Sequence, residues 1–399
     1  MKQYCYCFNK DYFMDIFSDI AKKYLEKGLI AGLEWDIRLK NKSLSEGLIG
    51  FKDIKSKKAL DLNQVYRIYS MTKPILSVAL IRLIERNEIH LHSLAQEFIP
   101  SLRHLKVILP DGSLERLKRP ITIADLLTHT AGFSYNFNIG CQVASFYKEL
   151  DILNDPKKSL EEMVDQISTL PLAFQPGDAW RYSVATDILG RILEVHRKQR
   201  LRDVLKDLIL DPLGMSETDF SINENQVSRL MPMHGTNDVN ELISLKPKSL
   251  ELVDIEKVHP SRGADIKERG GSGLFSTVKD YQLFCEFLIN GKDKNGSQMI
   301  SKTMHNFMLE NRIPKKLLPL KLGPRLLDGY GWNLIGRLMI NSGQAMSLTN
   351  NGEFGWAGAA KTFFWIDRKE NLTGVIMTQY AGCDINISDE FRAASYSLI

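Results

Sequence analysis

Apolar and polar positions across residues 11–27 alternate at helical spacing, which predicts a first helix. From 29 to 69 the pattern shortens to a few strands, with turns at Asn41 to Ser43 and at Lys55 to Lys58. Helical patterns then dominate from 74 to about 210. They include 183–199 and 201–210, and they stop where Asp211, Pro212 and Gly214 break the run. Strand character returns in Gly329 to Ile340, Thr362 to Asp367 and Leu372 to Thr378.

Early strands, a helical middle and late strands predict one sheet built from both ends of the chain, with a helical lobe inserted between them. On this reading residues 1–399 form a single α+β domain. Its α/β lobe comes from about 1–69 and 270–399, and its mainly helical lobe from about 70–269. Such a fold places a cleft where the lobes meet. Residues 311–327, with Pro314, Pro319 and Pro324 among lysines and leucines, read as a long surface loop, either a connector or a lid. No internal repeat or low-complexity tract interrupts the chain.

A length of 399 residues supplies ample core for a sizeable, dry cleft. Lys and Arg total 52 against 48 Asp and Glu, and the resulting +4 gathers only in short basic clusters near 197–202 and 313–325. That bias is too weak to imply a nucleic-acid partner. The five cysteines, Cys5, Cys7, Cys141, Cys285 and Cys383, are odd in number and show no metal-ligand spacing, so they read as free thiols in a reducing compartment. Asn9, Lys10, Asp11 and Asp15 break the apolar character of the first residues, which therefore lack the continuous core of a secretory signal. The longest apolar run, Leu76 to Ile84, is interrupted by Ser77 and Arg82 and is too short for a bilayer. A cytoplasmic protein with no membrane span is expected.

The sharpest local signal is Tyr69-Ser70-Met71-Thr72-Lys73-Pro74. Pro74 cannot sit deep in a helix, yet Ile75 to Arg86 is strongly helical, so the helix must begin close to Ser70. That start puts the Ser70 hydroxyl and the Lys73 amine three apart on one face. Ile75, Leu76, Val78, Ala79, Leu80, Leu83 and Ile84 bury the helix nearly all round. Burial and the positive helix end both disfavour an ammonium, so Lys73 should titrate low and can act as a base toward Ser70.

The motif resembles the nucleophile element of serine β-lactamases and penicillin-binding proteins. Trp180-Arg181-Tyr182-Ser183-Val184 is similar to the family's Y-x-N element in the form seen in class C β-lactamases and family VIII esterases. Gly355-Trp356-Ala357-Gly358-Ala359 resembles its K-T-G, H-x-G or W-x-G strand. Leu126 to Gly132 and Gly270 to Thr277 fit the same pattern, and the five pieces stand in the family's order. The resemblance implies a transpeptidase-like fold, a central antiparallel sheet flanked by helices. It implies that Tyr182 shares the base role with Lys73, its pKa lowered by the ammonium so that the two titrate as a pair. It further implies an oxyanion hole from the backbone N–H groups of Ser70 and Ala359, and a substrate edge at Trp356, Ala357 and Gly358. A glycine in this strand marks close approach by another backbone or by a ligand, as an acyl group lying along the edge would require.

His129 could serve a Ser/His/Asp triad, but the chain has no G-x-S-x-G elbow and a structural role is expected instead. H-E-x-x-H, P-loop and G-x-G-x-x-G motifs are absent from the sequence, so no metal or other cofactor is expected. Val184 stands where Y-x-N enzymes have asparagine, and Trp356 stands where K-T-G enzymes have a cation. An indole cannot hold a carboxylate as an ammonium does. Lys361-Thr362 offers a displaced K-T-G, but Phe363 would obstruct the edge. The expected activity is a serine hydrolase working through an acyl-enzyme, a carboxylesterase on small apolar esters. A β-lactamase or D-amino-acid amide hydrolase, or a non-catalytic binding protein on the same scaffold, are the alternatives.

Overall fold

The computed structural model describes residues 16–235, 250–263, 266, 268–382 and 384–399. The expected first helix is α1, Ile16–Glu26, and residues 11–15 lie outside the described ones. The main sheet begins with β1 (Gly32–Leu39), β2 (Lys42–Asp53) and β3 (Lys58–Ala59). It ends with β4 (Tyr330–Trp332), β5 (Arg337–Met339), β6 (Phe354–Ala357), β7 (Phe363–Asp367) and β8 (Leu372–Met377). The eight strands lie in the order β4-β5-β6-β7-β8-β1-β2-β3, with every neighbour antiparallel. The two chain ends meet where Trp35 of β1 pairs with Ile376 of β8. Lys40 and Asn41, at φ 50° and 62°, make the tight turn between β1 and β2, the geometry that right-twisted hairpins favour.

Period-two alternation sends successive side chains to opposite faces, and both faces are covered. On β7, Phe364 and Ile366 join the main core with Tyr281 and Phe284 of a helix at Val278–Asn290, whereas Phe363 and Trp365 join a second core with Phe17, Trp35 and Phe391. The second core lies against α1 and the closing helix Ile387–Tyr396. This is the α+β arrangement of an antiparallel sheet between helices.

The inserted segment carries the buried helix α2 (Thr72–Glu85) and α3 (Ala185–Arg197). Two expectations need correction here. The helical run passes Asp211 and Pro212, because a π turn at Lys206–Leu210 leads directly into Asp211–Leu213, and of the three break residues it is Gly214, with φ 75°, that ends it. Residues 311–327 are not a plain loop either. They form a turn at Lys315–Leu317 and a β-hairpin pairing Leu320–Leu322 with Arg325–Leu327. No helix among the described residues is long and apolar enough to cross a membrane. Cys141 and Cys285 are buried free thiols, and Cys5, Cys7 and Cys383 lie outside the described residues.

Candidate active site

Ser70 stands on a 3-10 turn, Tyr69–Met71, that runs straight into α2. Two things hold that turn. Tyr66–Arg67 pairs with Phe275–Ser276, and the Ile68 N–H donates to the Leu274 carbonyl at 3.1 Å. Tyr69 adopts φ 43°, a left-handed conformation unusual for a tyrosine, directly before the serine. As the turn is the first of the helix, the Ser70 N–H has no carbonyl behind it to bond. The Ala359 N–H makes no hydrogen bond among the described residues, and both residues border one cavity of about 1100 Å³.

At Gly358 it is another backbone that comes close. A Cβ there would lie 2.4 Å from the Ile68 carbonyl oxygen and 2.2 Å from Thr362 Oγ1. The close approach is made by the chain leading into Ser70, not by space kept for an acyl group. Ala357 is exposed at the cavity edge, and Lys361, paired with Asp384 at 3.1 Å, is off the strand.

The Lys73 amine is buried and has three neighbours: Ser70 Oγ at 3.1 Å, Tyr135 Oη at 2.9 Å and the Gly271 carbonyl oxygen at 2.6 Å. Burial pushes its pKa down to about 7, against an opposing pull from the Asp187 charge. Near neutral pH much of it is therefore a free amine with two N–H donors and one lone pair. Gly271 and Tyr135 can accept both donors, which leaves the lone pair for the Ser70 hydroxyl. When protonated, the same nitrogen lies 4.8 Å from the Tyr182 ring centroid and 5.1 Å from that of Tyr135, both favourable to a cation.

Tyr182 is buried just before α3, and its backbone neighbours tie it to the stretch after Leu126. Arg181 N–H donates to the His129 carbonyl at 3.0 Å, and Val184 N–H to the Ser134 carbonyl at 3.2 Å. Burial raises the Tyr182 pKa well above the usual phenol range, with Asp187 adding to the rise and hydrogen bonds from Ser70 and Trp356 opposing it. This corrects the expectation that a lysine ammonium would lower it. Lys73 is only partly charged near neutral pH, and burial favours the neutral phenol of Tyr182.

Trp356 lines the cavity, but its indole N–H turns inward and donates to Tyr182 Oη at 3.0 Å. His129 is buried, its Nδ1 is hydrogen-bonded to Ser183 Oγ at 3.2 Å, and its ring packs 4.8 Å from that of Tyr182. Val184 is buried at the start of α3.

A model of the family described as Beta-lactamase matches residues 17–394. The chain belongs to the Beta-lactamase family. Among its relatives is esterase EstB of Burkholderia gladioli, 34% identical over 367 residues, covering 87% of this chain and 86% of EstB. Two solved structures share the fold. EstCE1, described as a hydrolase with promiscuous acyltransferase activity, has a TM-score of 0.80 at 21% identity and covers 96% of this chain and 97% of its own. The simvastatin synthase LovD of Aspergillus terreus has a TM-score of 0.77 at 19% identity, covering 96% and 98%.

Three contributors were missed from sequence. Tyr135 follows Gly132 by three residues in the stretch that fits this family. Asp187 lies in the first turn of α3, buried, with Oδ1 accepting the Gly271 N–H at 3.0 Å. Gly271 itself is required, since a Cβ would fall 2.5 Å from Asp187 Oδ2 and 2.9 Å from Tyr135 Oη. The one usable signal was the Gly270-Gly271 pair, which marks a close approach without naming what approaches.

Proposed function

We infer that the protein is a carboxylesterase acting through an acyl-enzyme in the cleft between its sheet lobe, about 1–69 and 270–399, and its helical lobe, about 70–269. Ser70 is the nucleophile and Lys73 the base. The observation that carries this reading is the Lys73 amine at 3.1 Å from Ser70 Oγ, with a pKa near 7 and its remaining contacts on acceptors.

Ser70 Oγ attacks the ester carbonyl while its proton passes to Lys73. The oxyanion faces the N–H groups of Ser70 and Ala359. The alkoxide leaves with a proton delivered from Lys73 through the neutral Tyr182 phenol, and water then attacks the acyl-Ser70 ester by the reverse route. Tyr182 thus serves as proton relay in place of a phenolate base. Trp356 favours esters over β-lactams, because its N–H is committed to Tyr182 and the neighbouring cations of the cavity, Arg337 and Lys361, are already paired with Glu353 and Asp384. The names of EstB and of the lovastatin esterase of Penicillium rubens, 25% identical over 344 residues, agree with an esterase. The reading includes a small-molecule substrate, no nucleic-acid partner, no cofactor and a cytoplasmic location.

Intact-protein mass spectrometry after fluorophosphonate treatment should show one adduct, on the peptide holding Ser70 and absent in Ser70→Ala. In parallel, p-nitrophenyl butyrate should be turned over well and benzylpenicillin or nitrocefin poorly. Faster cleavage of nitrocefin would replace the esterase by a β-lactamase, and equal labelling of Ser70→Ala would remove the nucleophile.

A further inference from the structure

The second basic cluster of the sequence is not used by the chemistry above. Between Asn311 and Leu327 stand five basic residues and no acidic one. Arg312 pairs with Glu310 at 3.6 Å, and Arg325 reaches Asp384 and Asp389 at 3.6 and 3.4 Å. Lys315, Lys316 and Lys321 are exposed and pair with no acidic side chain among the described residues. The turn carrying the first two buries none of its residues.

The hairpin that follows forms part of the cavity wall through Leu322, Pro324, Arg325 and Leu327, so Lys321, cross-strand partner of Leu326, stands beside the opening that leads to Ser70, and Lys315 and Lys316 lie on the turn just before it in the chain. Large apolar side chains face solvent at the same place. Leu326 on the hairpin is 53% exposed, and Ile139, on the cavity lining, is 83% exposed. Met346, 93% exposed, follows Ala345, whose backbone packs against Gly329 two residues past the hairpin. Unpaired lysines around protruding aliphatic residues suit a surface that is anionic outside and apolar beneath. The cavity behind them is larger than a short acyl chain requires.

We propose that this basic hairpin and the apolar rim beside it dock the protein on an anionic lipid surface, and that the substrate is an acyl ester residing in that surface. The docking stands on the surface residues alone, whereas the substrate class rests on the esterase reading. Each lysine near such a surface contributes roughly a fivefold gain in partitioning, so three together give about a hundredfold.

The full chain is sedimented with vesicles of phosphatidylcholine alone and with vesicles containing 30% phosphatidylglycerol. Binding is expected to the anionic vesicles only, and it should fall steeply as salt is raised. The triple variant Lys315→Gln, Lys316→Gln, Lys321→Gln should bind about a hundredfold more weakly, and Leu326→Ser should bind more weakly than wild type. Both should hydrolyse soluble p-nitrophenyl butyrate as wild type does. Anionic vesicles carrying p-nitrophenyl palmitate should be hydrolysed faster than neutral ones by wild type and not by the triple variant. No binding, or equal binding to both vesicle types, overturns the docking. Binding without preference for the vesicle-borne ester overturns the substrate class. Lipid binding with no turnover of any ester and no labelling of Ser70 overturns the esterase reading and leaves the docking in place.

Discussion

The indole N–H of Trp356 donates to the phenol oxygen of Tyr182 at 3.0 Å, which makes this tryptophan part of the support of the site as well as part of its wall. The pair belongs to an aromatic group in which the Trp332 ring meets that of Trp356 edge-on at 4.6 Å. A lysine in that place would bring an ammonium into a buried aromatic setting and remove the hydrogen bond that fixes the phenol from the sheet side.

Trp356→Phe keeps most of the ring and deletes the N–H. Losing one neutral hydrogen bond of about 1 kcal/mol should lower kcat/KM for p-nitrophenyl butyrate about five- to tenfold. Trp356→Lys should lose more ester turnover without gaining penicillin hydrolysis. Steady-state kinetics of the two variants on both substrates checks this.

The pH dependence follows from Lys73. Its free amine accepts the Ser70 proton, and burial holds its pKa at about 7, so kcat/KM should climb with pH through about 7 and level off above. The Asp187 charge raises that pKa, so Asp187→Asn should shift the acid limb to lower pH while still accepting the Gly271 N–H. An unmoved limb in the pH–rate profile would show that Asp187 does not set the base.

Lys73→Ala and Tyr182→Phe should each cost on the order of 10² to 10⁴ in kcat, as loss of general-base catalysis does. The double variant should lose little beyond the worse single one, because one proton route needs both groups. Tyr135→Phe removes an acceptor from one Lys73 N–H and should cost less, about tenfold, with KM little changed. Additive losses in single-turnover rates would separate Lys73 from Tyr182.

What could be read from sequence was what is local. Ser70 and Lys73 are three residues apart, and Pro74 fixes where their helix starts, so their contact follows from helix geometry alone. The unbroken apolar run Phe363 to Ile366 suits a strand buried on both faces, and that strand lies between two cores. Tyr135 and Asp187 stayed hidden because they reach the site from 62 and 114 residues away from Lys73, a separation that no local period spans. The Tyr182 pKa was misjudged for a related reason. Spacing gives neighbours but not desolvation, and here burial outweighs the hydrogen bonds with Ser70 and Trp356. The hairpin at 320–327 escaped because its prolines read as loop, although they lie outside its paired residues.

A last prediction concerns stability and lies away from the chemistry. Glu34 on β1 is buried, accepts hydrogen bonds from Tyr66 Oη at 3.0 Å and from the Asn63 N–H at 3.3 Å, and burial pushes its pKa up to about 7. In the unfolded chain it titrates at about 4.3, so between these values the folded state binds the extra proton. Its contribution is therefore fully present below the unfolded pKa and is lost as pH rises through about 7. The full loss is on the order of 3 kcal/mol, at 1.36 kcal/mol per pKa unit. Glu34→Gln cannot ionise, and its amide oxygen can take over the bond from Tyr66. It should match wild type in melting temperature near pH 5 and exceed it at pH 8, with the difference opening between pH 5 and 7. Melting curves across that range decide the matter: a difference that does not grow with pH would mean that Glu34 is charged in the folded protein at neutral pH.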